Sequence, residues 1–228
     1  MIKKLRADLI HQVFQRLLEA FGPQHWWPAE TALEVIIGAI LTQNTAWTNV
    51  AKAIAQLRQA DLLTIPAMTL VDEARLRQLI RPSGYYNQKA HRLKLFFEHL
   101  EQHWQRDLEA FLAQPLGALR EELLSLRGIG PETADSIILY AANQPSFVVD
   151  LYTQRVCSRH NWVPEDYDYH RLRDFFMDVL EPEVDFFQEF HALLVRVGHL
   201  HCRKVPGCGG CPLAPMLPDS LVDSMAKP

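Results

Sequence analysis

The segment Leu126-Arg127-Gly128-Ile129-Gly130-Pro131-Glu132-Thr133-Ala134-Asp135 constrains this chain more than any other. Before it, Leu116, Leu119, Leu123 and Leu124 recur at helical spacing up to Ser125. After it, Ala134, Ile137, Ile138 and Ala141 line one face of a second helix. Pro131 suits the first turn of that helix, where its missing N–H is not needed. Two helices joined by Gly-Ile-Gly make a tight hairpin, with glycine permitting positive φ and Ile129 able to plug back into the helix pair. Backbone N–H groups of Gly128, Ile129, Gly130 and Thr133 then face outward as a phosphate site that needs no basic side chain. A plain helical turn carries the same Gly-x-Gly, so the hairpin alone does not establish binding.

Beyond Gly130 comes Phe147-Val148-Val149-Asp150-Leu151-Tyr152-Thr153-Gln154-Arg155-Val156, which sets Asp150 twenty residues after that glycine. A Gly-x-Gly hairpin followed at this distance by Val-Asp-x-x-x-x-Arg-Val resembles the endonuclease III-like (helix-hairpin-helix, Gly/Pro and Asp) superfamily of DNA glycosylases. The resemblance implies that Asp150 is catalytic. By itself an Asp before a helix reads as an N-cap, and the two roles are compatible, because a cap fixes the carboxylate in place. Departure of a base leaves oxocarbenium character on the deoxyribose, and a nearby carboxylate stabilises that charge or orients the attacking water. In members that also cut the strand, the second residue after the hairpin glycine is Lys. Here it is Glu132, a residue type also favoured by the dipole of a first helical turn. A carboxylate cannot form a Schiff base with C1′, so the expectation is a monofunctional glycosylase without lyase activity, with Glu132 in the site favouring a cationic base.

The remaining pattern reads as all-α. Helices are expected over Lys3–Phe21, Ala32–Leu41, Ala46–Ala60, Asp72–Ile80, Tyr86–His103, Leu151–His160, His170–Leu180 and Glu183–His199, with a loop around Pro66. Thr31-Ala32-Leu33-Glu34 has capping-box form. The resemblance covers nearly the whole chain and supplies the topology that periodicity cannot. It implies a two-lobed fold with the DNA cleft between the lobes. Residues 22–142 would form the helical domain holding the hairpin; 1–21 and 143–228 would form a discontinuous second domain with a Cys-rich loop.

His25-Trp26-Trp27-Pro28 followed by Leu41-Thr42-Gln43-Asn44-Thr45-Ala46-Trp47 resembles the 3-methyladenine glycosylase branch of the superfamily. The resemblance makes Trp26, Trp27, Pro28 and Trp47 the walls around a flipped base, and makes Gln43 the probe of the gap it leaves. A base taken from the stack needs new π-partners, and an N3-alkylated purine is cationic, which aromatic faces attract. Each Trp alone would equally serve as a lid on the helical domain, and Gln43 as a helix-end cap. Tyr86-Asn87-Gln88-Lys89-Ala90 resembles the same family. Lys89, Arg92 and Lys94 are candidates for phosphate contact, or for an ordinary solvated helix face.

Cys202-x5-Cys208-x2-Cys211 lies near the C-terminus. Related enzymes carry Cys-x6-Cys-x2-Cys-x5-Cys around a [4Fe–4S] cluster. Here the first gap is one shorter, and the fourth position falls at Leu217. A cluster, an empty degenerate loop and a zinc site completed by His199 or His201 all stay open. Cys157 reads as core.

The net charge of −4 and pI near 6.2 are poor general credentials for a nucleic-acid binder, so affinity must come from local patches and backbone amides. No apolar run reaches transmembrane length and no signal-peptide core follows the N-terminus, so a cytoplasmic monomer acting on damaged double-stranded DNA is expected. Two rivals stand beside that reading: an endonuclease III-like activity on oxidised pyrimidines, and a non-catalytic binder of DNA structures that retains the hairpin.

Overall fold

A computed structural model describes residues 2–218. Among them there are twelve α-helices, two short 3-10 turns and no strand, so the molecule is all-α. The chain divides into two compact units. One runs from Trp27 to Gln144; the other combines the chain up to Trp26 with the chain from Pro145 onward.

The Trp27–Gln144 unit contains α2 (Ala32–Leu41), α3 (Trp47–Gln59), α4 (Ile65–Leu70), α5 (Glu73–Leu79), α6 (Tyr86–Trp104), α7 (Leu108–Leu112), α8 (Leu116–Ser125) and α9 (Pro131–Tyr140). Helix α2 is apolar on all sides apart from Glu34, and every residue from Leu33 to Leu41 is buried. It is the axis against which α3, α6 and α9 pack. Of the capping box its sequence announces, Thr31 Oγ1 accepts from Glu34 N–H at 3.2 Å, whereas the Glu34 carboxylate accepts from Glu30 N–H at 3.0 Å instead of from Thr31. Residues 65–70, expected as loop, form α4. Pro66 occupies its first turn, where no N–H is required, and Thr64 Oγ1 accepts from Ala67 N–H.

The second unit contains α1 (Ile2–Phe21), α10 (Leu151–Arg159), α11 (Tyr169–Met177) and α12 (Val184–Leu200). Helix α12 packs on both α1 and α10. The core is aromatic: Phe147 stacks on Phe176 at 4.3 Å between ring centroids and meets Phe187 and Phe190 edge-on. Phe147-Val148-Val149 is fully buried and belongs to no helix or strand among the described residues; it leads into α10.

The hairpin arms α8 and α9 are tied by a bidentate ion pair, Arg120 Nε and Nη2 to the two oxygens of Asp135 at 2.9 and 3.1 Å. Asp135 has no exposed surface. On the far side of α8, Glu122 collects Trp104 Nε1 at 2.7 Å, His99 Nε2 at 2.6 Å and Gln114 Nε2 at 2.8 Å. Burial raises its pKa, but these hydrogen bonds outweigh burial and hold the carboxyl below its ordinary value. Removing one side of a buried charge pair leaves the other without its compensation. Arg120→Ala should therefore destabilise the protein by about 3 kcal/mol in urea denaturation; a loss within error of zero would mean that the pair does not hold the hairpin.

Candidate active site

In the Trp27–Gln144 unit the hairpin turn closes by a bond from Ile129 N–H to Leu126 O at 3.0 Å, and Ile129 is buried as its place between two glycines suggests. Only Gly128 uses positive φ, at +91°; Gly130 caps α9 at φ −90°. A Cβ at Gly128 would also fall 2.6 Å from Cγ of Arg92, so the site excludes a side chain on both counts. Among the described residues, neither Gly128 nor Gly130 N–H has an acceptor within the protein. These amides and the start of α9 are donors of the kind that such a turn can offer to an anion.

Gln43 reaches this turn. Its Nε2 donates to Gly128 O and to Thr133 Oγ1, both at 2.9 Å, and its Oε1 accepts from Arg92 Nη1. Gln43, Arg92, Gly128 and Thr133 therefore form one closed network. Arg92 is committed to Gln43 and to packing over Gly128, and Lys94 donates to Thr69 O and Val71 O, rather than lining a solvated face.

Lys89 requires a correction. It is 1% exposed, and its ammonium donates to Leu41 O at 2.8 Å, Thr45 Oγ1 at 2.7 Å and Ser83 O at 2.6 Å. With all three donors used inside the fold, Lys89 is no phosphate ligand; it fastens the turn between α2 and α3. Burial, with Arg92 adding repulsion, pulls its pKa down to about 8, still charged at neutral pH. Beside it, Tyr85 stands 65% exposed in a left-handed conformation at the start of α6, a position the sequence reading passed over.

Trp27 lies on Gly38 of α2, where a Cβ would sit 3.2 Å from the indole. Trp27 meets Trp47 edge to face at 5.3 Å and Tyr140 at 5.2 Å. Tyr140, the last residue of α9, was missed because it reads as one more apolar-face position. Pro28 is exposed beside this cluster, and Glu132 is exposed in the first turn of α9. Trp26, half-buried, belongs to the other unit.

In that unit Asp150 caps α10. Its Oδ1 accepts from Thr153 N–H at 2.7 Å and Thr153 Oγ1–H at 2.9 Å, while Oδ2 lies 4.0 Å from Nε2 of His191 on α12. The cap leaves one carboxylate oxygen for chemistry. His191 was not singled out from the sequence; set in Phe190-His191-Ala192-Leu193-Leu194, it reads as core.

The cysteine loop is organised by two arginines of α10. Arg155 Nη1 donates to Cys202 O at 2.8 Å. Arg159 donates to Arg203 O and Lys204 O at 2.6 and 3.1 Å, and its Nη1 lies 3.4 Å from Cys202 Sγ. Burial raises the thiols of Cys208 and Cys211, and Cys202 adds to both. Among the described residues no three His, Cys, Asp or Glu side chains converge as a metal-binding group, and Leu217 offers no donor. Three thiolates, Cys202, Cys208 and Cys211, stand where the family's [4Fe–4S] cluster takes four, and the fourth cysteine position is Leu217.

Residues 37–182 match the profile of the HhH-GPD superfamily of base excision DNA repair proteins. Over 93% of its length the chain is 43% identical to MJ1434 of Methanocaldococcus jannaschii, a protein assigned as a DNA repair glycosylase, and covers 97% of it. It is 28% identical to endonuclease III homolog 2 of Arabidopsis thaliana over 86% of its own length, spanning half of that longer protein. The Helicobacter pylori 3-methyladenine DNA glycosylase, solved with 1,N6-ethenoadenine, superposes with a TM-score of 0.74 at 28% identity, over 85% of this chain and 97% of that one. An endonuclease III–DNA complex shares the fold at a TM-score of 0.82 and 21% identity, over 96% of this chain and 98% of that one. With the hairpin, the capped Asp150 and a family match over most of its length, the chain belongs to the HhH-GPD superfamily of base excision repair proteins and is a DNA glycosylase.

Proposed function

We propose that the protein is a monofunctional glycosylase that removes alkylated, cationic purines of the 3-methyladenine type from double-stranded DNA. The observation that carries this reading is the state of Asp150. One oxygen is fixed by Thr153 and the other is left open, so the carboxylate is held in place without being used up. In the proposed reaction the C1′–N bond breaks with its electron pair passing to the base. An alkylated purine then leaves as a neutral molecule and needs little acid assistance. Asp150 balances the positive charge on the sugar, and water adds to C1′ with loss of a proton. The hairpin amides of Gly128 and Gly130, with the first turn of α9, take the DNA phosphate.

The aromatic group of Trp27, Trp47 and Tyr140 supports a preference for a cationic base, as does the exposed carboxylate of Glu132. The likeness to the H. pylori enzyme points the same way. A second reading, an endonuclease III-like activity on oxidised pyrimidines, is favoured by the identity to the Arabidopsis homolog. Duplexes carrying single defined lesions separate the two: release of alkylated purines with intact pyrimidine lesions supports the first, and the reverse pattern the second.

Two measurements test the details. Wild-type protein should leave abasic strands that break only with alkali, and borohydride should trap no protein–DNA adduct, because position 132 carries no amine and that of Lys89 is buried among three acceptors. Efficient trapping would overturn the monofunctional reading and direct the search to a lysine such as Lys204. Trp47→Ala should slow release of a cationic alkylated purine more than that of a neutral base, the difference being about twofold to fivefold for the lost cation–π attraction of roughly 0.5–1 kcal/mol. Equal losses would leave Trp47 only a packing role.

A further inference from the structure

Asp150 has one oxygen in use and one open, and what faces the open one is His191. The imidazole Nε2 lies 4.0 Å from Asp150 Oδ2, and the residue is 6% exposed. The meeting is built by the packing of α10 on α12. Seven residues after His191, two turns along the same face of α12, stands Gly198. A Cβ there would fall 2.6 Å from Cβ and Cδ1 of Tyr152, a first-turn residue of α10. The two helices therefore touch through a glycine, and that close approach brings the His191 side chain to the cap of α10.

The chemistry of this neighbour suits a carboxylate that must keep its charge. Burial disfavours the imidazolium, and although Asp150 favours it, the pKa of His191 stays below its ordinary value of 6.5. The imidazole is thus neutral at neutral pH. Cys157, two turns along α10 from Asp150, is likewise neutral, since burial pushes its thiol well above the ordinary range and Asp150 adds to the rise. A lysine or arginine at position 191 would instead cancel the charge that a deoxyribosyl cation requires. A separation of 4.0 Å is longer than a hydrogen bond, as catalytic contacts often are before substrate binds.

We propose that His191 is a positioning residue of the glycosylase, whose Nε2–H orients the open oxygen of Asp150 while leaving its negative charge intact. The proposal rests on the reading of Asp150 as the catalytic carboxylate. It predicts that the contribution of His191 to catalysis passes entirely through that residue.

The test compares His191→Leu, His191→Gln, Asp150→Asn and the double variant Asp150→Asn/His191→Leu. Base release is measured in single turnover on a 3-methyladenine duplex, or on whichever lesion duplex wild type cleaves fastest. Duplex affinity and thermal unfolding are followed in parallel. His191→Leu should slow release by about tenfold, as loss of a supporting partner commonly does, with affinity for the duplex unchanged. His191→Gln places an amide N–H near the position of Nε2 and should recover most of the rate. In the Asp150→Asn background, His191→Leu should cost nothing further. Equal slowing by Leu and Gln, or full additivity with Asp150→Asn, would overturn the proposal and leave His191 as packing. Normal release by folded Asp150→Asn would instead overturn the reading of Asp150 itself. Should His191→Leu fail to fold, NMR titration still decides. The pKa of His191 should fall further in Asp150→Asn, because the carboxylate favouring its charged form is gone; an unchanged value would refute the contact.

Discussion

The carboxamide of Gln43 ties together the parts that make the hairpin a binding element. From the turn after α2 it donates to Gly128 O and Thr133 Oγ1, and it accepts from Arg92 of α6. The stem of Arg92 in turn fills the space above Gly128 that any β-carbon would need. The hairpin is thus held by two segments distant in sequence, and its outward amides are fixed in direction by bonds made on its inner side. The Arg120–Asp135 pair performs the same service between the two arms. A turn so held can present N–H groups to an anion without losing order at the moment of binding, and this is how an acidic protein can carry a DNA-binding surface.

The same economy appears at Asp150. A carboxylate at a helix N-cap is oriented by local geometry alone, because Thr153, three residues on, supplies both donors to Oδ1. No distant cation is required, and the neighbours from α10 and α12, Cys157 and His191, are held neutral by burial. The charge that the reaction would use is therefore not spent on a salt bridge with a lysine or arginine. Lys89 shows the opposite case. Its charge is entirely consumed by Leu41 O, Thr45 Oγ1 and Ser83 O in holding the turn that carries Gln43.

Features written in consecutive residues are legible in the sequence. The hairpin, the cap at Asp150, the cap at Thr31 and the apolar axis Leu33–Leu41 all follow from spacing, because their partners lie within one or two turns. What escaped were roles decided by a partner far along the chain. Lys89 and Arg92 sit at helix positions that pattern alone reads as solvated; their acceptors lie 44 to 49 residues away for Thr45, Leu41 and Gln43. Tyr140 and His191 lie in apolar runs, where periodicity predicts burial but not the neighbour met there. The cysteine spacing was visible, but not the arginines of α10 that order the loop. Pro66 reads as a loop marker because proline both ends helices and begins them, and only the cap at Thr64 distinguishes the two.

The central claim is that a capped, charged Asp150 performs base release, and removing its charge alone tests it most directly. Asparagine at position 150 can still accept from Thr153 N–H, so the folded state and the start of α10 should persist by circular dichroism and thermal unfolding. Single-turnover release of an alkylated purine should then fall by a factor of about 100 or more, the scale of losing an electrostatic partner of the transition state. A folded Asp150→Asn protein that releases the base at close to the wild-type rate would contradict the account.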